Sequence, residues 1–184
     1  AATALLRLLA GAPGEARALA TAARTSKTSL VAVVALVEGQ AAAAEGDWDG
    51  AVKALDEANQ LAPSPEVEQA RSQALLELGL ERLGRGDAGG ARDALARANR
   101  TAQRLELEDR QTLEFALQAL GVLASEQPEQ AARNLAGALA GPRYAGPQWA
   151  RVRDIGLGYV AYGWLRAGNA AEARRALDRV RDLL

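Results

Sequence analysis

The 184-residue chain is predicted to fold entirely into helices, arranged as stacked antiparallel helix pairs. Alanine and leucine dominate, β-branched and aromatic residues are scarce, and no stretch alternates apolar and polar residues as a half-buried strand would. A short sequence motif, in which a turn is followed by small residues at helical spacing, recurs along the chain. An apolar-periodic stretch precedes most of these turns, so each repeat has room for two helices.

The repeated motif is clearest at residues 46–51, where the sequence Gly-Asp-Trp-Asp-Gly-Ala begins a helix that continues through Leu55 and Ala58. These positions lie on one helical face. The equivalent alanines, at positions 16, 51, 91, 131 and 173, are separated by 35, 40, 40 and 42 residues. The other copies are Gly11 and Pro13 before Ala16, Ala20 and Ala23; Gly86 and Asp87 before Ala91, Leu95 and Ala98; Pro128 before Ala131, Leu135 and Ala138; and Gly168 and Asn169 before Ala173, Leu177 and Val180.

The first helix of each later pair is predicted over residues 31–45, 69–84, 109–125 and 149–167. A small residue lies at a matching point in each, where a larger side chain would push the partner helix away. Codon bias alone would not keep these residues in phase. They are Gly39, Gly79, Ala119 and Ala161. We therefore expect one domain, 1–184, with units at about 1–28, 31–66, 69–106, 109–142 and 149–184.

This order of small residue, turn, alanine, large apolar residue and closing proline resembles the tetratricopeptide repeat, and residues 39–63 match it best. The resemblance implies a right-handed α-solenoid of about four repeats plus a degenerate N-terminal one. The usual aromatic residue of the first helix is replaced by Ala42 and Arg82 in two units. Steps near 40 residues exceed the usual 34 and imply longer helices or loops, at 62–65 and 141–147. Such a period is also similar to the superhelical sensor domain of maltose-regulator-type bacterial transcription activators.

The residue inventory argues against catalysis. The chain has neither His nor Cys, so the commonest general base, metal ligand and thiol nucleophile are missing. Asp47 and Asp49 beside Gly50 are similar to the start of a calcium loop but lack its other ligands, so we interpret Asp47 as a helix cap. We expect no enzyme activity, cofactor or metal.

Charge and hydropathy limit the partners. There are 22 basic and 23 acidic residues, a net charge of −1, so we expect no contact with nucleic acid. The most apolar segment, residues 30–37, is far shorter than a membrane span, which predicts a soluble protein. We expect this protein in the cytoplasm, with a secreted or periplasmic mature form as the alternative. Because the chain begins at Ala1 without Met, it fits a domain excised from a longer protein, or a mature secreted form.

Five of the seven aromatic residues are crowded near the C-terminal end of the chain. In one interpretation they pack the last helix pair and the loop before it. In the other they form a binding platform together with Arg143, Arg151 and Arg153. The five are Tyr144, Trp149, Tyr159, Tyr162 and Trp164.

The first helices of stacked pairs line the inner curve, and the residues predicted to face it are mostly apolar. Each leucine left in water forgoes roughly 1.5–3 kcal/mol, so we expect a protein or peptide partner to cover them. That partner is an amphipathic helix or extended segment, a second copy of the chain, or a segment of a parent protein. The alternative is that these leucines are core between helices. The predicted partner-binding residues are Leu36, Leu76, Leu80, Leu83, Leu113, Leu120, Leu123, Tyr162 and Leu165, with Ile155 and Gly158 on the same face.

The sequence therefore predicts a non-catalytic protein-interaction scaffold that binds an apolar or amphipathic helix in its concave groove. The alternative, from the second resemblance, is a ligand- or partner-sensing domain of a larger bacterial transcription regulator.

Overall fold

The structure, a computed structural model, describes residues 4, 7–8, 10–25 and 31–181. It is 85% helical. The described residues form nine α-helices whose first and last residues are both defined, and no strand, which confirms the all-α class. Predicted first helices agree with the observed ones to within a few residues. The helices are α1 Pro13–Thr25, α2 Val31–Ala44, α3 Trp48–Leu61, α4 Pro65–Gly84, α5 Ala88–Arg100, α6 Leu107–Ala124, α7 Pro128–Ala140, α8 Ala150–Arg166 and α9 Ala170–Arg181.

Four of the five predicted turns contain a glycine with positive φ, namely Gly11, Gly46, Gly86 and Gly168. At the turn after α2, Gly46 has φ +77°, its N–H donates to Ala43 O at 3.0 Å, and Asp47 N–H donates to Ala42 O at 2.9 Å. Asp47 Oδ1 then accepts the N–H of Gly50 at 3.0 Å, which caps α3. One residue thus closes one helix and opens the next, and the cap interpretation of Asp47 is confirmed. The same bonds recur at Gly86 with Asp87 and at Gly168 with Asn169.

Gly86→Ala is expected to lower the free energy of unfolding by about 1–2 kcal/mol, because alanine must adopt the left-handed φ of +78°. Steric clashes do not contribute to this difference in free energy, since no described atom lies within 4 Å of a Cβ added at Gly84 or Gly86. Gly84, the last residue of α4, is the matched control. Gly84→Ala should be neutral or gain about 0.5–1 kcal/mol. Urea denaturation measures both, and equal effects would contradict the turn geometry.

The described contacts group the chain into two compact units, and the first comprises Ala1–Leu78 and Ala94–Arg110. In it, Ala4 and residues of α1 and α2 form a core cluster, to which the helices contribute Ala16, Ala20, Val34, Val37 and Ala41. A Cβ added at Gly39 of α2 would lie 2.5 Å from Leu55 Cγ and 3.3 Å from Ala51 O of α3. Glycine is therefore required for this close approach, as predicted. The single-domain organisation stays a prediction.

Asp56 joins three helices of the first unit. Its Oδ1, on α3, accepts Nε–H of Arg71 on α4 at 2.5 Å, and its Oδ2 accepts a hydrogen bond from Arg97 on α5. Burial alone would raise the pKa of the Asp56 carboxyl, but the two guanidinium hydrogen bonds outweigh it and hold the pKa below its usual 3.8. The charged carboxylate is therefore the form that stabilises this contact.

Asp56→Asn is expected to cost about 1.5 kcal/mol at pH 7, since hydrogen bonds to a charged group are lost. A carboxyl whose folded pKa is lowered contributes stability above its unfolded pKa and loses it as pH falls through the folded pKa. Wild-type stability should therefore drop below about pH 4 more steeply than that of Asp56→Asn. Denaturation from pH 7 to 2.5 measures this. Parallel curves for the two proteins would show that Asp56 carries no such linkage.

The second unit comprises Gly79–Asp93 and Gln111–Leu184. Within it, two glycines of α8 sit one heptad apart on the same face. A Cβ added at Gly156 would lie 2.7 Å from Phe115 of α6, and one added at Gly163 would lie 2.8 Å from Ala132 Cβ of α7. The backbone of α8 therefore approaches both preceding helices closely at these points.

The predicted register of α7 is wrong by one residue. Ala132 is fully buried whereas Ala131 is half-buried, and Leu139 rather than Ala138 completes the buried face with Leu135. The turn before α7 lacks glycine, and Pro128 begins the helix directly. Leu135 belongs to both the predicted and the observed face, so only the two flanking positions move by one residue, and the different entry turn changes which alanine is covered.

In α9, Ala173 is buried as predicted, but Leu177 is 49% exposed. Ala176 takes the adjacent buried position instead. The predicted packing of Ala23 and Val180 lies outside the described side chains. In this helix the repeated motif therefore predicts correctly that the small residue Ala173 is buried, but it does not predict correctly the burial of the large apolar residue Leu177.

The C-terminal aromatic residues belong mainly to the core. Tyr144 lies edge-on to Phe115 and Trp149, with ring centroids 6.1 and 5.3 Å away. Arg153 donates to Tyr144 O at 2.5 Å and to Gly146 O at 2.8 Å, which fixes the loop before α8. The packing interpretation is confirmed, and the platform interpretation is wrong for the four aromatics that are at most 8% exposed. These four are Tyr144, Trp149, Tyr159 and Trp164.

Candidate functional site

The second unit contains a cavity of about 720 Å³. It lies among the C-terminal ends of α4 and α6, the turn before α5, and one face of α8. A volume of this size lies within the range of about 300–1,000 Å³ that protein ligand sites occupy. The lining residues are Leu83, Gly84, Gly86, Ala88, Leu123, Asp154, Ile155, Gly158, Tyr159 and Tyr162.

Helix α8 contributes the longest wall. Asp154, Gly158 and Tyr162 follow one another at spacings of four residues, which places them on one face. No described atom lies within 4 Å of a Cβ added at Gly158, so this glycine leaves room in the cavity. Tyr162 is 45% exposed. The cavity is therefore open to solvent and forms a cleft along α8, which we call the α8 cleft.

A buried hydrogen bond fixes one wall of the cleft. Tyr159 Oη donates to the backbone oxygen of Leu83 at 2.7 Å, and that oxygen also accepts Gly86 N–H at 3.0 Å. Burial raises the pKa of the Tyr159 hydroxyl, which keeps it protonated and able to donate. The end of α4 and the middle of α8 are therefore held together, and the cleft is preformed in this unit.

Asp154 is the one charged residue among the described residues that line the cleft. Its Oδ1 atom is buried and has no hydrogen-bond partner within the described part of the chain. Leaving a buried acceptor unsatisfied costs about 1–3 kcal/mol, and such groups in native proteins call for an explanation. Apart from the two tyrosines, the side chains of the wall are thus apolar except for one carboxylate.

Three of the predicted partner-binding residues, Leu83, Leu123 and Tyr162, line the cleft, although Leu83 is only 2% exposed and belongs to the core rather than to an open surface. Ile155 and Gly158, predicted on the same face, also line the cleft. Leu165 lies one helical turn beyond Tyr162 and is 56% exposed. The inner face predicted for α8 is therefore the face that lines the cleft.

The expectation of an open surface is wrong for the predicted residues nearer the middle of α4 and α6. These side chains are at most 6% exposed and belong to the core, as the alternative interpretation held. Leucines 75, 76, 78 and 80 of α4 are all buried although they point in different directions around the helix, so no single apolar stripe marks an open face. The residues concerned are Leu76, Leu80, Leu113 and Leu120. In the first unit, Leu36 is half-buried and packs against Ala35, Ala58 and Val67.

Sequence reasoning missed Asp154 as part of the site, and it named Tyr159 only as a member of the aromatic cluster and not on the predicted inner face. The spacing of Asp154, Gly158 and Tyr162 is a signal that could have found the first, since it repeats every four residues on the predicted inner face. Nothing local could have found the second, because Tyr159 reaches a backbone oxygen 76 positions away.

Fold and cleft together define the chain as an all-helical protein with an open, largely apolar cleft. No protein-family model matches it, and neither a curated protein nor a solved structure does. None of the described helices combines the length and apolar character needed to cross a membrane. Over the same residues, no three His, Cys, Asp or Glu side chains are grouped so that they could hold a metal ion.

Proposed function

We propose that this protein is a non-catalytic protein-interaction scaffold that binds an apolar or amphipathic helix in the α8 cleft. One observation carries the proposal: an open apolar cleft with the half-exposed Tyr162 at its edge. Leu165, 56% exposed, extends the apolar surface along the same helix. Contiguous exposed apolar surface of this kind is typical of interaction sites.

The shape of the cleft suits a helix. Its walls are themselves helices, and the apolar residues Leu123, Ile155 and Tyr162 line it. An amphipathic helix presents apolar side chains every three or four residues, and such side chains fill grooves of this type. Each one buried gains about 1.5–3 kcal/mol, so two or three anchors would give measurable affinity.

The finer fold assignment, a right-handed tetratricopeptide-like α-solenoid, is part of this proposal. Three turns with the same glycine conformation and the same capping bond support it. Ala51, Ala91 and Ala173, the small residues that follow these turns, are at most 2% exposed. Repeats of this kind stack into extended binding surfaces.

The proposal is tested with a display library of amphipathic helical peptides of about 14 residues, long enough to span roughly 20 Å. Selection on the wild-type protein should yield binders. Gly158→Leu should weaken the selected peptides at least about tenfold, because the new side chain occupies the cleft, whereas the fold tolerates it. Gly137→Leu is the matched control, since Gly137 on α7 also has no described atom within 4 Å of an added Cβ and does not line the cleft.

Failure to select any binder, or equal binding by Gly158→Leu and wild type, would contradict the scaffold proposal. Sedimentation velocity of the same variants tests self-association, the other predicted occupant. A wild-type dimer that Gly158→Leu converts to a monomer would show that a second copy of the chain fills the cleft.

The cavity volume also favours a second candidate, a ligand-sensing role within a larger bacterial transcription regulator, since 720 Å³ accommodates a small molecule. A thermal-shift screen of small metabolites distinguishes it. A compound that raises the Tm of wild type and of Gly137→Leu, but not of Gly158→Leu, would support sensing.

A further inference from the structure

We propose that the helix bound in the α8 cleft carries a lysine or arginine side chain that pairs with Asp154. This inference rests on the proposed scaffold function and names the chemistry that selects the partner. It concerns the one charged side chain among the described residues that line the cleft.

The first support is the unsatisfied oxygen. Asp154 Oδ1 is buried and accepts no hydrogen bond from the described residues. In a native protein such an acceptor calls for an explanation, which is a bound water or ion, a functional role or strain. Ammonium and guanidinium donors make the strongest hydrogen bonds to carboxylates.

The second support is the surroundings of Asp154. The other described residues that line the cleft are apolar, glycine or tyrosine, and none of them is basic. The hydroxyl of Tyr159, which also lines the cleft, donates to Leu83 O and is engaged there. A helix that filled the cleft with apolar side chains alone would cover the carboxylate without a partner, which disfavours binding. A helix with one cation at this point would satisfy it.

The spacing along α8 fixes the position of that cation. Asp154 and Tyr162 are eight residues apart on one face, a separation of about 12 Å along the helix axis. A bound helix lying along α8 should therefore carry its basic residue seven or eight positions from the apolar residue that contacts Tyr162. The proposed motif is one Lys or Arg and one large apolar residue at this separation.

The test repeats the peptide selection on Asp154→Asn, with Asp178→Asn on the exposed surface of α9 as the control for lost charge. Peptides selected on wild type and on Asp178→Asn should be enriched at least about tenfold in Lys or Arg at one cleft-facing position. Asp154→Asn should lose that enrichment. Replacing the basic residue of a selected peptide with norleucine should weaken binding to wild type at least about tenfold and binding to Asp154→Asn less than about threefold.

The failures of the two proposals are distinguishable. If no peptide binds wild type, the scaffold proposal fails. If peptides bind without a basic preference, or Asp154→Asn keeps the preference, the pairing with Asp154 is overturned while the scaffold proposal stands. The norleucine peptide measured on wild type decides the question even if Asp154→Asn does not fold, because unchanged affinity would overturn the pairing.

Discussion

Leu80→Ser and Leu120→Ser are each expected to lower the free energy of unfolding by about 2–5 kcal/mol, the range for truncating a buried leucine. The two side chains are 2% and 6% exposed, so each substitution leaves a cavity and buries a hydroxyl. Tyr162→Ser, at a side chain that is 45% exposed, should change stability much less. Because a domain of this kind has about 5–15 kcal/mol in total, the double leucine variant should be largely unfolded.

Urea denaturation followed by circular dichroism measures these differences. Leu177→Ser is the matched control, since this leucine is 49% exposed on α9 and does not line the cleft. Wild-type stability of Leu80→Ser would show that this leucine faces an open surface after all. A large loss in Tyr162→Ser would show that the edge of the cleft is structural and would remove it as a docking residue.

Gly163→Leu is expected to destabilise the protein by about 3 kcal/mol or more, because overpacking a well-packed contact typically costs about 1–3 kcal/mol for smaller insertions. The first added carbon alone would lie 2.8 Å from Val122 and from Ala132, and 3.1 Å from the backbone oxygen of Pro128. That oxygen cannot move without shifting the start of α7, so a change of rotamer does not relieve the contact.

Gly158→Leu on the same helix supplies the internal comparison. Its added Cβ meets no described atom within 4 Å, and replacing a helical glycine with leucine should gain about 0.5–1 kcal/mol. Opposite signs for the two variants, measured as shifts in Tm, would confirm that α8 has one packed and one open face. Equal destabilisation would contradict an open α8 cleft.

This division of α8 gives its glycines two roles. Gly156 and Gly163 let the backbone approach neighbouring helices, whereas Gly158 removes a side chain from the wall of the cleft. Substitution at Gly158 is consequently expected to affect binding more than folding. Substitution at Gly163 should do the reverse.

Local features could be predicted from the sequence because a few adjacent residues determine them. Gly46, followed by an Asp that caps the next helix, specifies the same turn wherever it occurs. The inner face of α8 was also predictable, since Ile155, Gly158 and Tyr162 follow a regular helical spacing. The one-residue shift in α7 could not be predicted, because the turn before this helix lacks the glycine that is part of the repeated motif.

The sequence by itself determined that this protein is helical, where its turns lie, and that small residues such as Gly39, Ala51 and Ala91 are buried. It did not determine which leucines remain open to solvent, because α4 and α6 carry apolar residues on several faces, and only the helices packed around them decide which are covered. Tertiary structure also buried Asp154 Oδ1 without a partner. Burial of that oxygen depends on the packing around it, and helical periodicity specifies only the face on which Asp154 lies.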